Sequence, residues 1–188
     1  MPRRRSTARV ADAALWWNRG MDVAGLLLEI LGRIPPLARE AVEGLDADQL
    51  TRRPGPGANT IGWLVWHMGR GQDAQIAEIT GDEQVWAAGS WAQRMGLEPD
   101  PENTGYGHSA ADVEKVRPEG ANVLLGYLEA VQARTVAFVG GLAPQDLDRI
   151  VDRRWDPPVT LGVRLVSIAD DCLQHAGQAA YLRGLLGV

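Results

Sequence analysis

Four stretches of this chain repeat their apolar residues every three to four positions. No stretch sustains the every-second-residue alternation of a half-buried strand. That pattern predicts an all-α fold built from four principal helices. The first runs from about Asp22 to Glu43, with a break at Pro35-Pro36, where two prolines end one helix or open the next. The second opens at Asn59 or Thr60, either a competent N-cap, and runs to Thr80 before Gly81. The third follows Pro118 and reaches Gly140. The fourth opens at Thr160, just after Pro157-Pro158, and reaches Leu186. Arg9 to Asn18 predicts a short extra helix that packs Trp16 and Trp17 on the bundle, behind a basic, frayed Pro2-Arg3-Arg4-Arg5 start.

The connections set the topology. The first and second helices, and the third and fourth, are joined by about 15–20 residues. The second and third are separated by nearly 40. A short link makes antiparallel neighbours, whereas a long one can carry the chain back so that the next helix runs parallel. The expectation is a single-domain four-helix bundle, up-down-down-up, with a long ordered crossover. That crossover holds Trp86, Trp91, Tyr106, His108 and a short helix capped by Ser109. A weak internal repeat supports two similar halves. Gly44-Leu45, Leu50 and Arg52 match Gly141-Leu142, Leu147 and Arg149 in spacing, and each copy leads to a Thr-x-Gly helix start at Thr60 or Thr160.

Composition excludes several classes of function. A net charge of −5 gives no general attraction to nucleic acid or anionic lipid. No apolar run approaches the length of a membrane span, and the N-terminus lacks the apolar core of a signal peptide, so a cytoplasmic protein is expected. The single cysteine, Cys172, cannot form an intrachain disulfide and falls in the apolar stripe of the fourth helix as a core thiol. One lysine among 19 basic residues, with abundant alanine and glycine, suggests a high-GC genome by association only, and the aromatic content is unusual in kind, with seven tryptophans against one phenylalanine.

Two of the three histidines lie on the predicted helices. His67 flanks the apolar face made by Ile61, Leu64, Val65, Met68, Ile76 and Ile79. His175 lies inside the stripe of the fourth helix, and Asp171 precedes it by one turn. The i, i+4 spacing brings the Asp171 and His175 side chains together, about 5–6 Å apart at Cβ. Burying a carboxylate and an imidazole is costly unless they are paired or ligated. A metal held by His67, Asp171 and His175 meets that cost and leaves an open coordination position, as in catalytic zinc sites. Iron, nickel or manganese suit the same donors. The plainer alternatives are a hydrogen-bonded Asp-His pair, a satisfied boundary histidine at 67, and an Asp171 that only orients His175. Trp63 and Trp66 read as packing residues, His108 as a loop histidine within reach of the site, and Arg153-Arg154 as a solvated loop pair.

The stretch Asn59 to Met68, with Thr60-Ile61-Gly62-Trp63 and His67, resembles the second-helix signature of the DinB/YfiT-like superfamily. His175-Ala176-Gly177-Gln178 followed by Leu182-Arg183 resembles its fourth-helix signature. The resemblance covers about residues 22 to 187. It implies an up-down-down-up bundle and a metal on one ligand from the second helix and two from the fourth, which here are His67, Asp171 and His175. Most members have histidine where this chain has Asp171. A carboxylate there resembles the actinobacterial, mycothiol-dependent branch that includes maleylpyruvate isomerases.

The resemblance implies a divalent-metal-dependent thiol S-transferase or isomerase, with zinc as the first choice of metal. A low-molecular-weight thiol such as mycothiol serves as cosubstrate against a small electrophile. In this reading Gln178 orients His175, Arg183 meets a carboxylate of thiol or substrate, and Trp63, Trp86, Trp91 and His108 wall the pocket. The alternatives are metal-dependent hydrolysis, which lacks an HExxH base, and a non-catalytic, stress-associated ligand-binding or dimerisation module. A small-molecule substrate and a homodimer are the expected partners.

Overall fold

A computed structural model describes residues 21–188. The expected helix at Arg9–Asn18 and the basic start lie outside the described residues. The fold is mostly helical, with one small two-stranded sheet. The first helical stretch is two helices, α1 (Val23–Gly32) and α2 (Ile34–Val42), which meet at Arg33. The cause is Pro35-Pro36, which stand in the first turn of α2, where proline loses no helical hydrogen bond. A short α3 (Ala47–Thr51) opens with an Asp46–Gln49 capping box. The second long helix, α4 (Ile61–Thr80), starts at Thr60, whose hydroxyl accepts the Trp63 N–H at 3.0 Å. The crossover carries α5 (Trp91–Arg94) and α6 (Ala110–Val113), the latter capped by Ser109 as expected. Then come α7 (Ala121–Val139), a 3₁₀ turn at Pro144–Asp148, β1 (Ile150–Asp152), β2 (Val159–Thr160) and α8 (Leu161–Leu186).

The long helices pack on one another. α4 lies against α8 and α7, and α2 lies against the same two. The core between them includes Leu31, Ile34, Ile61, Met68, Leu128, Val131, Leu165 and Ile168, all essentially inaccessible. No helix among the described residues is long and apolar enough to cross a membrane.

The repeat has a structural basis. Thr60 and Thr160 both cap the helix that follows them through the backbone N–H three residues on. The glycine two residues after each threonine abuts the repeat leucine of its own half. A methyl built on Gly62 would lie 3.0 Å from the Leu50 carbonyl, and one on Gly162 would lie 3.3 Å from the Leu147 side chain. Each half therefore seats a helix start directly on the preceding turn.

The short antiparallel pairing of β1 with β2 was not foreseen. Its residues are too few for an alternating pattern. The Arg153-Arg154 pair is not merely solvated either. Arg154 binds Asp152 at 2.9 Å and Glu78 of α4 at 3.1 Å, while Arg164 of α8 holds the same Asp152 at 2.7 Å. This ties the hairpin to both helices.

The crossover is strapped to α4 by a buried polar network. Arg70 and Asp73 are both fully buried. Arg70 donates to the Pro101 carbonyl at 2.8 Å, the Asn103 carbonyl at 3.0 Å and the Tyr127 hydroxyl at 3.1 Å. Asp73 accepts from the backbone N–H groups of Val85 and Trp86 and from Tyr127, at 2.8–2.9 Å. The Arg70 guanidinium also lies 4.7 Å from the centre of the Trp86 ring. Trp86 is fully buried, so it anchors the crossover and does not wall a pocket.

The repeat contacts make a stability prediction. Gly62→Ala pushes into a backbone oxygen and costs about 1–3 kcal/mol. Gly162→Ala meets its nearest atoms, the Leu147 Cβ and carbonyl oxygen, at the longer 3.3 and 3.4 Å, and costs less. Urea unfolding of the two variants checks the order.

Candidate metal centre

Three side chains converge where α4 faces α8. His67 comes from the buried side of α4, and Asp171 and His175 lie one turn apart on α8. Each ring nitrogen has a distinct task. His67 Nδ1–H donates to the Thr104 carbonyl at 2.6 Å, and His175 Nδ1–H donates to Gln178 Oε1 at 2.8 Å. With Nδ1 carrying the proton, Nε2 of each neutral ring keeps its lone pair, whereas a protonated His175 also donates from Nε2 to Asp171. Both Nε2 atoms face one carboxylate. Asp171 Oδ2 lies 3.8 Å from His67 Nε2, and Asp171 Oδ1 lies 3.4 Å from His175 Nε2.

These distances test whether an ion fits. Two donors bound tetrahedrally to one zinc ion at normal bond lengths lie about 3.3 Å apart. One donor atom from each of the three residues falls within 4.8 Å of the other two. Small side-chain adjustments therefore suffice. A carbonyl or amide oxygen behind each imidazole is also the usual support of a metal-bound histidine. The donor set and its backing fit a divalent cation.

The surroundings close one side and leave the other open. Trp63 stacks on His67 with ring centres 4.7 Å apart and planes 11° from parallel, and the His175 ring meets His67 edge-on at 4.9 Å. The Asp171 side chain, by contrast, is 42% exposed. Gly71, one turn beyond His67, presents no side chain there. A methyl built on it would reach within 3.7 Å of Asp171 Oδ2.

Burial lowers the pKa of His67 against the opposing pull of its Thr104 bond and of Asp171. The hydrogen bond with Asp171 raises His175, with a smaller contribution from Gln178. Burial pulls Asp171 upward, but the His175 bond and the two imidazole charges outweigh it, and its carboxyl sits below its ordinary value. Cys172 is not a nucleophile. It is 1% exposed, and burial pushes its thiol far up.

His108 is near the site but is no ligand. The Trp63 indole N–H donates to its Nδ1 at 3.1 Å, so its Nε2–H donates to Asn103 Oδ1 at 2.8 Å. Both nitrogens are used, and burial lowers its pKa. His108 pins the crossover to α4. The crossover backbone runs close over the site at Gly105, which has φ +93°. A methyl there would lie 2.8 Å from His67 Nδ1 and 2.9 Å from the Trp66 ring. Both the left-handed backbone and the close approach require glycine.

The structure does not bring Arg183 to the site. It lies two turns past His175, about 12 Å along the helix. Its guanidinium holds the carbonyls of Glu40 and Val188 at 2.7 and 3.2 Å. Asp170 is exposed and accepts from Gln174. The contributions missed in the sequence are the Thr104 carbonyl, Gly105 and the Arg70–Asp73 pair. Only the last had a signal, two charged residues three apart inside a helix otherwise rich in apolar residues.

Residues 31–179 match the DinB superfamily, and the chain belongs to it. Members of that superfamily generally bind metal. The crystal structure of a conserved protein from Enterococcus faecalis is similar over 90% of this chain and 100% of that one, with 30% identity and a TM-score of 0.82. No curated protein matches the chain.

Two outcomes follow from this geometry. Gly105→Ala lifts the crossover from His67, costs about 1–3 kcal/mol in urea unfolding and weakens zinc binding in calorimetric titration. Metal binding must displace a proton from His175, whose pKa is raised. Zinc affinity therefore starts to fall above the ordinary histidine value of 6.5 as pH drops. Once below the His175 pKa it falls about tenfold per pH unit. Calorimetry across pH 5.5–8 (roughly the histidine range) shows the slope.

Proposed function

We propose that this chain is a divalent-metal-dependent enzyme that joins a low-molecular-weight thiol, such as mycothiol, to a small electrophile as an S-transferase, or uses the thiol to isomerise it. The observation that carries this reading is the convergence of His67 Nε2, His175 Nε2 and the Asp171 carboxylate beside the bare face of Gly71. In this reading the long helices form an up-down-down-up four-helix bundle, and zinc is the first choice of metal, with nickel, iron or manganese as alternatives. A cation held there would favour the thiolate form of a thiol at neutral pH.

The chain's own residues do the rest. His67, Asp171 and His175 hold the cation, and Gln178 and the Thr104 carbonyl fix the two imidazoles. Trp63 covers His67 and keeps water from that side. Cys172 is buried and protonated, so the sulfur nucleophile must come from a cosubstrate. A groove of about 490 Å³ is walled by Gln75, Glu78, Asp82, Glu102, Thr104 and Arg154. It shares Thr104 with the backing of His67, and none of the three ligands lines it. Its polar walls suit the hydrophilic body of a thiol in the cytoplasm.

Hydrolysis is the second reading, since a site with three protein ligands also admits water. His108, the loop histidine within reach of the site, has both nitrogens engaged, which counts against it as a general base. The two readings separate on one requirement. The zinc-loaded protein is assayed with monobromobimane, with and without mycothiol, alongside demetallated protein and His175→Ala. Turnover that needs both metal and thiol, and that falls at least 100-fold in His175→Ala, is the expected result. Undiminished turnover in metal-free protein removes the proposal. Turnover of an ester substrate without thiol favours hydrolysis, and a protein inert in every assay is a binding or dimerisation module.

A further inference from the structure

We propose that Arg70 is a positioning residue for the metal centre, acting through the crossover backbone rather than through its charge. This rests on the reading of His67 as a metal ligand.

Arg70 follows His67 by three residues, so both side chains leave the same face of α4. Between them they hold three carbonyls within four consecutive residues. Arg70 takes Pro101 and Asn103, and His67 takes Thr104. The guanidinium is a planar fork, so the two carbonyls it binds are fixed in both spacing and direction. The carbonyl of Thr104 comes next in the chain. Its position against His67 Nδ1 is therefore set by Arg70.

The far side of the same segment is also closed. The Asn103 side chain accepts from His108, His108 accepts from Trp63, and Trp63 stacks on His67. His67, Thr104, Asn103, His108 and Trp63 thus form a closed ring of contacts around Gly105. Arg70 is the group that fixes this ring from beneath. Its charge is already met by Asp73 at 3.5 Å. What it adds at His67 is geometry: the tautomer that leaves Nε2 free, and a ring that cannot swing away.

A fully buried arginine is a costly way to fill space, since a buried ion pair is often no better for stability than well-packed apolar residues. A role in setting the ligand gives a reason for this side chain at this position.

The test uses Co²⁺ as the probe, on the full chain, by titration and by visible absorption of the bound ion. The variants are Arg70→Lys and Leu31→Ala. The first keeps the charge and loses the fork. The second truncates a core residue of α1 and serves as the control for lost stability. The inference expects Arg70→Lys to bind Co²⁺ at least tenfold more weakly and with a shifted absorption band. Leu31→Ala, at an equal or larger loss of Tm, keeps the wild-type affinity and band. Equal affinity and spectrum in Arg70→Lys overturns the inference, as does an equal effect in Leu31→Ala. If Arg70→Lys does not fold, Tyr127→Phe is read in the same way. It removes one guanidinium partner, and a several-fold loss with a shifted band supports the inference, whereas wild-type values overturn it. Wild-type protein that binds no Co²⁺ at all would instead remove the metal reading on which the inference rests.

Discussion

The hydrogen bond from His67 Nδ1 to the Thr104 carbonyl is the contact on which the rest of the structure turns. It joins a helix to a loop nearly forty positions away and decides which nitrogen of His67 is free. Without it the ring could rotate, the lone pair could point elsewhere, and Asp171 and His175 would form an ordinary surface pair. The bond can exist only if the crossover backbone passes within touching distance of α4. Glycine at position 105 permits that approach.

Holding a long loop so close to a helix needs more than one bond, because each ordered residue loses conformational entropy. The buried pair of Arg70 and Asp73 supplies the extra hold. Between them these side chains bond four backbone groups of the crossover and the Tyr127 hydroxyl of α7. A charge-assisted bond in a dry interior is stronger than a neutral one. The crossover is thus joined to α4 at its start, through Val85 and Trp86, and near its middle, through Pro101 to Thr104. It also closes on itself where Arg117 bonds Met95 and Glu119 bonds Arg94. The loop is a built wall of the site.

Much of this was legible in the sequence, for local reasons. Helix starts at Thr60 and Thr160 depend on a side chain meeting a backbone group three residues away, so spacing reveals them. That Asp171 and His175 meet was readable from their one-turn spacing, although the burial expected of the carboxylate is only partial; that His67 joins them depends on how α4 packs on α8. The rest depends on atoms that a sequence does not distinguish. Every residue has a carbonyl, so nothing marks that of Thr104. Arg70 and Asp73 stand out as charges in an apolar helix, but nothing in the sequence says which loop groups they bond. The β1–β2 pairing is too short to show a period. Arg183 matched a family signature, yet it binds the carbonyls of Glu40 and Val188, a purely structural task.

Membership of the DinB superfamily, which is generally metal-binding, agrees with a candidate metal centre between α4 and α8. Asp171 gives this centre its individual character, placing one carboxylate against two imidazoles. The most direct measurement is an anomalous difference map from a crystal grown with zinc. The account predicts one strong peak, about 2.0–2.2 Å from His67 Nε2, His175 Nε2 and an Asp171 oxygen. A zinc-soaked crystal with no peak there, or with the His67 ring turned away from Asp171 and His175, would contradict it.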